Sequence, residues 1–161
     1  ILGGQIKGSK PSLFLIYPEG NFIEATEDTP FFQIGEIKYG RPILVRAYRR
    51  DLSMKDIFKL LIVSFDSTLK ANLTVGFPLD FQIYFTDTIK SGVEGRLNAN
   101  DPYFVDVSNA WSKGLEDLLL RLPGLTLSEE VNKQKEYNEI CIIVIKNYAH
   151  ISIAPIQNWL R

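Results

Sequence analysis

The chain has 161 residues, which is enough for one ordinary domain with a proper hydrophobic core. Apolar residues make up 45% of it and charged residues 23%, and this balance excludes a disordered or fibrous protein. The formal net charge of −1 predicts no general affinity for nucleic acid or for an anionic membrane, because both require a surplus of positive charge.

Several features of the chain favour a location in the cytoplasm. The longest apolar runs, such as residues 140–145, are far too short to cross a bilayer. The first residues lack the charged start and the apolar stretch of a signal peptide. Cys141 is the only cysteine, which excludes an internal disulfide and is typical of a reducing compartment. We therefore expect a cytoplasmic protein that binds neither nucleic acid nor membrane.

The N-terminal part of the sequence predicts short strands. Residues 12–17 and 22–25 are apolar runs separated by turn-forming residues at 18–21, so they predict a β-hairpin. Residues 31–34, Phe-Phe-Gln-Ile, predict another short strand that ends at Gly35.

Two helices are predicted next. Residues 36–48 predict the first, and Pro42 either weakens its first turn or marks its true start. Residues 53–70 predict the second, because Ser53 can cap the amide of Asp56 and apolar residues recur at three- and four-residue spacing. That apolar face, of which we expect Leu61 and Phe65 to point at the sheet, comprises Met54, Ile57, Phe58, Leu61, Phe65 and Leu69.

The second half of the sequence adds a strand and a third helix. Residues 79–87 alternate between apolar and polar side chains, which is typical of a half-buried strand. A polar connector at 88–100 follows, and residues 102–122 then predict a helix capped by Asp101 and begun by Pro102. The order of elements indicates an α+β fold with helices on one face of an antiparallel sheet, whose other face needs a partner.

The tail at 128–161 has no assigned role. Its β-branched run makes an aggregation-prone strand, so we expect 139–146 to pair with the sheet or to lie across its exposed face, in the same or a neighbouring subunit. A disordered or helical extension is the alternative. The sequence thus divides into a domain at 1–127 and an appended tail.

Little self-contained chemistry is visible in the residues alone. His150 is the only histidine, and with Cys141 it supplies too few ligands for a metal site, so we expect no metal and no cofactor. Cys141 lies in an apolar run where thiols are usually inert, which disfavours a Cys–His catalytic pair. A basic cluster either binds an anion or an acidic partner or is a solvated surface that pairs with Asp51 and Asp56; its members are Arg41, Arg46, Arg49 and Arg50.

Three stretches carry a resemblance to a known family. They are residues 3–44, which include FFQIGEIKYGRPIL, residues 61–87, which include LDFQIYFTD, and residues 100–124, which begin NDPYFVDVSNAW. They resemble the Anbu family, the "ancestral beta subunit" relatives of the proteasome in bacteria, over residues 1–127. The resemblance implies the αββα sandwich of N-terminal nucleophile hydrolases, present here without its N-terminal portion. It also implies a ring or helical assembly of like subunits that acts on polypeptide substrates.

The resemblance also implies where the chemistry lies. The nucleophile of the family is an N-terminal threonine whose own α-amino group acts as base, helped by an acidic residue and a lysine that follow it. These residues belong to sequence that precedes this chain, and Ile1 has no hydroxyl or thiol to replace them. We therefore expect no catalytic residue within the chain, but a contribution to the pocket wall from Gly35, Glu36 and Asn72.

The wall residues depart from the family pattern. Glu36 stands where related subunits commonly have a serine, Asn72 near their accessory aspartate and Val75 near their accessory serine. A hydrogen-bonded Glu–Asn pair would still orient the amine of the nucleophile. The alternatives are a helix N-terminal carboxylate for Glu36 and a helix-ending residue for Asn72.

Three functions follow from these interpretations. The first is the C-terminal portion of a threonine peptidase subunit, the second a non-catalytic structural subunit, and the third an interaction module that uses the basic cluster or the apolar tail. Self-cleavage at the Gly8–Ser9 bond, which would expose Ser9 as a nucleophile, is disfavoured because Gly-Ser is common in loops.

Overall fold

A computed structural model describes residues 1–125 of the chain. The chain divides into two units, Ile1–Arg121 and Leu122–Arg161, and the elements below all belong to the first. The predictions for the tail at 128–161 and for its strand at 139–146 lie outside the described residues. The first unit is a mixed α/β structure with three helices and two small antiparallel sheets, where the sequence predicted one sheet.

The first sheet has three strands in the order β1-β2-β3, namely β1 Leu2–Gly4, β2 Ser12–Ile16 and β3 Phe22–Glu24. Strands β2 and β3 are antiparallel and pair Ile16 with Phe22 across a tight turn. The turn contains Gly20 at a φ of 90°, a conformation that glycine adopts without steric cost. The predicted hairpin is therefore confirmed.

Residues 31–34 form no strand, so that prediction is wrong. The segment instead packs beside helix α1 (Arg41–Ala47). The ring of Phe31 lies 6.2 Å from the ring of Tyr48, and the Arg41 guanidinium lies 5.9 Å from the centre of the Phe31 ring. Residues 31–33 are half-buried and Ile34 is exposed, so side-chain contacts with α1 and Tyr48 take the place of the strand pairing that the apolar run predicted.

Helix α1 starts later than the sequence predicted. It begins at Arg41 instead of residue 36, so Pro42 lies in its first turn and marks the true start. Gly40, just before it, is buried where the chain meets helix α2 (Met54–Ala71). A Cβ on Gly40 would lie 2.9 Å from the Ser64 carbonyl oxygen and would collide with the Ser64 hydroxyl. Glycine therefore permits the close approach of the two helices.

Helix α2 confirms the helix predicted at 53–70. The Ser53 hydroxyl accepts a hydrogen bond from the Asp56 amide at 3.2 Å and donates to the Asp56 carboxylate at 2.6 Å. The Lys59 ammonium pairs with the same carboxylate, so hydrogen bonds from Lys59 and then Ser53 hold the pKa of Asp56 below its usual value. The local sequence thus fixes where α2 begins.

The second sheet consists of β4 (Leu79–Ile83) and β5 (Val93–Leu97). Strand β4 shows the predicted alternation but ends four residues before the predicted end at 87. Strand β5 lies inside the segment predicted as a polar connector at 88–100, and that prediction is wrong. The sequence of β5 does not resemble a strand because it contains Gly95 and two charged residues. Gly95 leaves room for the Phe81 ring, since a Cβ there would collide with that ring.

The core lies where α2, β5 and helix α3 (Pro102–Arg121) meet. Ile62, Leu97 and Phe104 are its buried centre, and the Phe104 ring packs edge-on against Phe77 at 4.8 Å. Helix α3 confirms the helix predicted at 102–122, and the Asp101 carboxylate accepts the Tyr103 amide as predicted for a cap.

The predicted sheet-facing side chains of α2 are only partly covered. Leu61 and Phe65 line an apolar groove between α2 and β4, with a volume of about 340 Å³. They are 41% and 45% exposed, and Met54 at the start of the groove is 49% exposed. Within residues 1–125 this groove is open along one side of the second sheet. No helix of this part of the chain is both long and apolar enough to cross a membrane.

Candidate functional site

The candidate site begins at a sharp turn. Gly35 has a φ of 75°, and a Cβ there would meet nothing within 4 Å, so glycine is required by backbone conformation and not by space. The turn follows the segment at 31–34 and leads directly to Glu36. It allows the chain to change direction just before the first helix.

Glu36 and Asn72 are in direct contact. The Asn72 side-chain nitrogen donates to one carboxylate oxygen of Glu36 at 2.9 Å, although the residues are 36 positions apart. The other oxygen of Glu36 accepts the Lys38 amide at 2.8 Å. Because α1 begins only at Arg41, the interpretation of Glu36 as a helix N-terminal carboxylate is wrong. Both side chains are partly buried, and the site lies at the end of α2 beside the Gly35 turn.

Asn72 both ends α2 and orients its own amide. Its backbone N–H donates to the Thr68 carbonyl as the C-cap of the helix, which confirms the helix-ending interpretation. Its side-chain oxygen accepts the Thr74 amide at 2.9 Å and the Thr74 hydroxyl at 2.7 Å. Sequence reasoning missed Thr74. An Asn followed two residues later by a hydroxyl residue is the available signal, since this spacing suits an Asx turn.

The hydrogen bonds of this cluster all lead toward one carboxylate. Thr74 donates to Asn72, Asn72 donates to Glu36, and the Lys38 amide donates to Glu36 from the other side. An ionised carboxylate only accepts hydrogen bonds, and its two oxygens have room for more than two donors. The cluster therefore offers one fixed negative group that is able to accept a hydrogen bond from an amine or a hydroxyl.

The remaining candidates lie elsewhere or outside the described residues. The Val75 amide donates to the Asn72 carbonyl at 3.3 Å, so Val75 closes the turn. Ser9 lies in the β1–β2 connection, where its amide donates to Ile6 and its carbonyl accepts the Gln5 side chain. Cys141 and His150 lie outside the described residues. In the part of the chain that the structure describes, no three His, Cys, Asp or Glu residues could together hold a metal ion.

The basic cluster is largely engaged within the chain. The Arg49 guanidinium makes two hydrogen bonds to Asp51, at 3.1 and 3.2 Å. The Arg50 guanidinium donates to the carboxylate and to the carbonyl of Glu27, at 3.0 and 2.9 Å. Together with Arg41 above Phe31, these contacts occupy three of the four arginines. Such exposed pairs stabilise the fold little, but they favour a solvated surface over an anion site.

Known structures match the chain closely. Anbu from Hyphomicrobium sp. strain MC1 is 54% identical with a TM-score of 0.74, over 78% of this chain and 54% of that one. Anbu from Yersinia bercovieri is 48% identical with a TM-score of 0.73, over 78% of this chain and 53% of that one. The chain belongs to the Anbu family. A helical assembly of the Anbu complex from Pseudomonas aeruginosa is 46% identical with a TM-score of 0.74, over 79% and 53% of the two chains.

This Anbu chain spans about half the length of the solved relatives it matches. No protein-family model matches it, and no curated protein matches it. The similarity to the solved Anbu structures indicates that the described elements belong to a proteasome-like fold. These elements represent part of the length of a solved Anbu protein.

Proposed function

We propose that this chain is the C-terminal portion of a proteasome-like threonine peptidase subunit, and that Gly35, Glu36 and Asn72 form one wall of its catalytic pocket. The observation that carries the proposal is the 2.9 Å hydrogen bond between Asn72 and Glu36. It joins two distant positions at which the family resemblance implies supporting residues. In this proposal the nucleophile belongs to a segment outside the 161 residues.

The proposed wall acts on the amine of the nucleophile. The threonine hydroxyl attacks the peptide carbonyl carbon and its proton passes to the α-amino group, which later gives it to the leaving amine. The amine is positively charged while it holds that proton. A Glu36 carboxylate held by Asn72 and by the Lys38 amide would accept a hydrogen bond from it, and this would orient and stabilise the charged form.

The apolar groove supports the sandwich architecture in the same proposal. Leu61, Phe65 and Met54 are between 41% and 49% exposed along it, which is unusual for the apolar face of a well-capped helix. We assign the groove to strands that the rest of the same subunit would add beside β4, because the chain accounts for about half of the length of its solved relatives. Those strands would widen the sheet under α2 as part of the proposed αββα sandwich.

The proposal includes self-assembly around polypeptide substrates. The relative from Pseudomonas aeruginosa is described as a helical assembly of the Anbu complex. A ring or helix of like subunits would enclose the pockets and restrict access to unfolded polypeptides. We accordingly place this protein in protein breakdown.

Reconstitution tests the proposal. The chain is co-expressed with the part of the Hyphomicrobium Anbu that it does not cover, and the purified complex is assayed with fluorogenic peptides. We expect turnover by the complex, none by the 161-residue chain alone, and loss of turnover when the N-terminal threonine of the added part is changed to alanine. Glu36→Gln should lower kcat/KM about 10- to 100-fold, because it removes a charged hydrogen-bond acceptor.

A matched control separates the wall from general charge effects. Glu94→Gln removes a carboxylate that accepts only an exposed Gln82 hydrogen bond on the second sheet, so it should leave turnover unchanged. Equal losses in Glu36→Gln and Glu94→Gln would contradict the assigned wall. A complex that assembles but never turns over peptide would favour the second candidate, a structural subunit, which the departures at Glu36 and Asn72 from the family pattern also suggest.

A further inference from the structure

We propose that Thr74 is a positioning residue of the pocket wall, which holds the Asn72 amide with its nitrogen toward Glu36. The inference rests on the proposed function and adds a residue to it. A carboxamide keeps nearly the same shape after a half-turn about its last side-chain bond, but this rotation exchanges the positions of its oxygen acceptor and its two N–H donors. Something must therefore select the orientation in which Asn72 donates to Glu36.

Thr74 supplies that selection through two donors. Its backbone N–H lies 2.9 Å from the Asn72 side-chain oxygen and its hydroxyl lies 2.7 Å from the same atom. A flipped amide would direct its N–H groups at the Thr74 amide and its oxygen at the Glu36 carboxylate, which would lose the bond of 2.9 Å and set two acceptors against each other. Only the observed orientation satisfies all of these groups.

The backbone around Asn72 leaves few other degrees of freedom. The Asn72 amide donates to Thr68 at 2.9 Å and the Asn72 carbonyl accepts Val75 at 3.3 Å, so the main chain is held on both sides of the residue. Rotation of the side-chain amide is then the main way in which the Glu36 contact could be lost. Thr74 is exposed and does not belong to the core, so changing it tests orientation and not folding.

The first experiment uses the 161-residue chain and needs no activity. NMR measures solvent exchange of the Asn72 side-chain amide protons in Thr74→Val, which keeps the backbone donor and the shape but removes the hydroxyl. Loss of one net hydrogen bond predicts an exchange rate about five-fold higher. Thr74→Ser should restore the slow rate, and Thr88→Val, whose hydroxyl donates to Phe85, should not change it. An unchanged rate in Thr74→Val would overturn the inference.

The second experiment uses the reconstituted complex. Thr74→Val should lower kcat about five-fold with KM unchanged, Thr74→Ser should restore it, and Thr74→Val should add no further loss to Glu36→Gln because it acts through that carboxylate. Additive losses, or an unchanged kcat in an active complex, would overturn the role of Thr74. An inactive complex whose Asn72 exchange still depends on Thr74 would overturn the peptidase proposal and support the positioning contact.

Discussion

Gly40→Ala tests the helix contact that brings Glu36 and Asn72 together. Glu36 precedes α1 and Asn72 ends α2, so the approach of the two helices at Gly40 sets the distance between the site residues. An added Cβ would lie 2.9 Å from the Ser64 carbonyl oxygen, which is backbone and does not move aside, and 3.1 Å from the Thr68 hydroxyl. The steric effect of this methyl is therefore unfavourable.

Two effects of the substitution oppose each other. Gly40 has φ −86° and ψ −37°, which alanine adopts readily, so the reduced freedom of the unfolded chain would stabilise the variant by up to about 1 kcal/mol. Forcing a methyl into a packed contact costs about 1–3 kcal/mol. Since the clash includes a backbone atom, we expect it to dominate and to leave a net loss of about 1–2 kcal/mol.

Urea unfolding of the chain measures the difference, with Gly114→Ala as the matched control. Gly114 lies inside α3, and a Cβ there would meet nothing within 4 Å. Gly114→Ala should therefore raise the free energy of unfolding by about 1 kcal/mol, through helix propensity alone. If Gly40→Ala stabilised the chain as Gly114→Ala does, the close approach of α1 and α2 would be refuted.

Two further predictions concern the core and the surface charges. Ile62→Ala should cost about 2–5 kcal/mol and should exceed the cost of Phe65→Ala in the isolated chain, because Ile62 is 4% exposed and Phe65 is 45% exposed; the reverse order in urea unfolding would show that the groove is closed. The Arg96 guanidinium makes two hydrogen bonds to Asp80, at 2.6 and 3.0 Å, and these hold the pKa of Asp80 below its ordinary value of 3.8. A lowered folded-state pKa stabilises the protein above the unfolded-state value, and this contribution disappears as the pH falls through the folded-state value. The free energy of unfolding should therefore decrease below about pH 4, and this decrease should be smaller in Asp80→Asn; identical pH profiles would contradict the pairing.

Local patterns predicted those elements whose stability is local. Helices α2 and α3 have caps and long apolar periodicity within their own sequence, and the β2–β3 hairpin has its turn residues between two apolar runs. The failures depend on contacts distant in sequence. Phe31 packs against Tyr48 and Arg41 instead of joining a strand. Strand β5 pairs with β4 where Gly95 leaves room for the Phe81 ring.

The residues of the candidate site also depend on contacts that are distant in sequence. Gly35, Glu36 and Asn72 entered through the family resemblance, since nothing in composition or spacing links positions 36 residues apart. The spacing of Asn72 and Thr74 suits an Asx turn, but the orientation of the Asn72 amide also depends on Glu36, which is 36 positions away in sequence. The role of all four residues in catalysis stays a prediction that the reconstitution experiment tests.

In the proposed pocket wall, the departures at Glu36 and Asn72 follow from one physical constraint. An aspartate at 72 facing Glu36 at 2.9 Å would place two carboxylates in contact, and like charges at that distance cannot both remain ionised without a large cost. A serine at 36 would leave the Asn72 amide without its acceptor, and the wall would then carry no charge. This pair of positions is therefore compatible with one carboxylate. When the carboxylate is at position 36, in the turn after Gly35, position 72 at the end of α2 requires a neutral hydrogen-bond donor. Asn72 meets that requirement while its oxygen is held by Thr74. Under the proposed function, the single negative charge of the wall would therefore lie on Glu36.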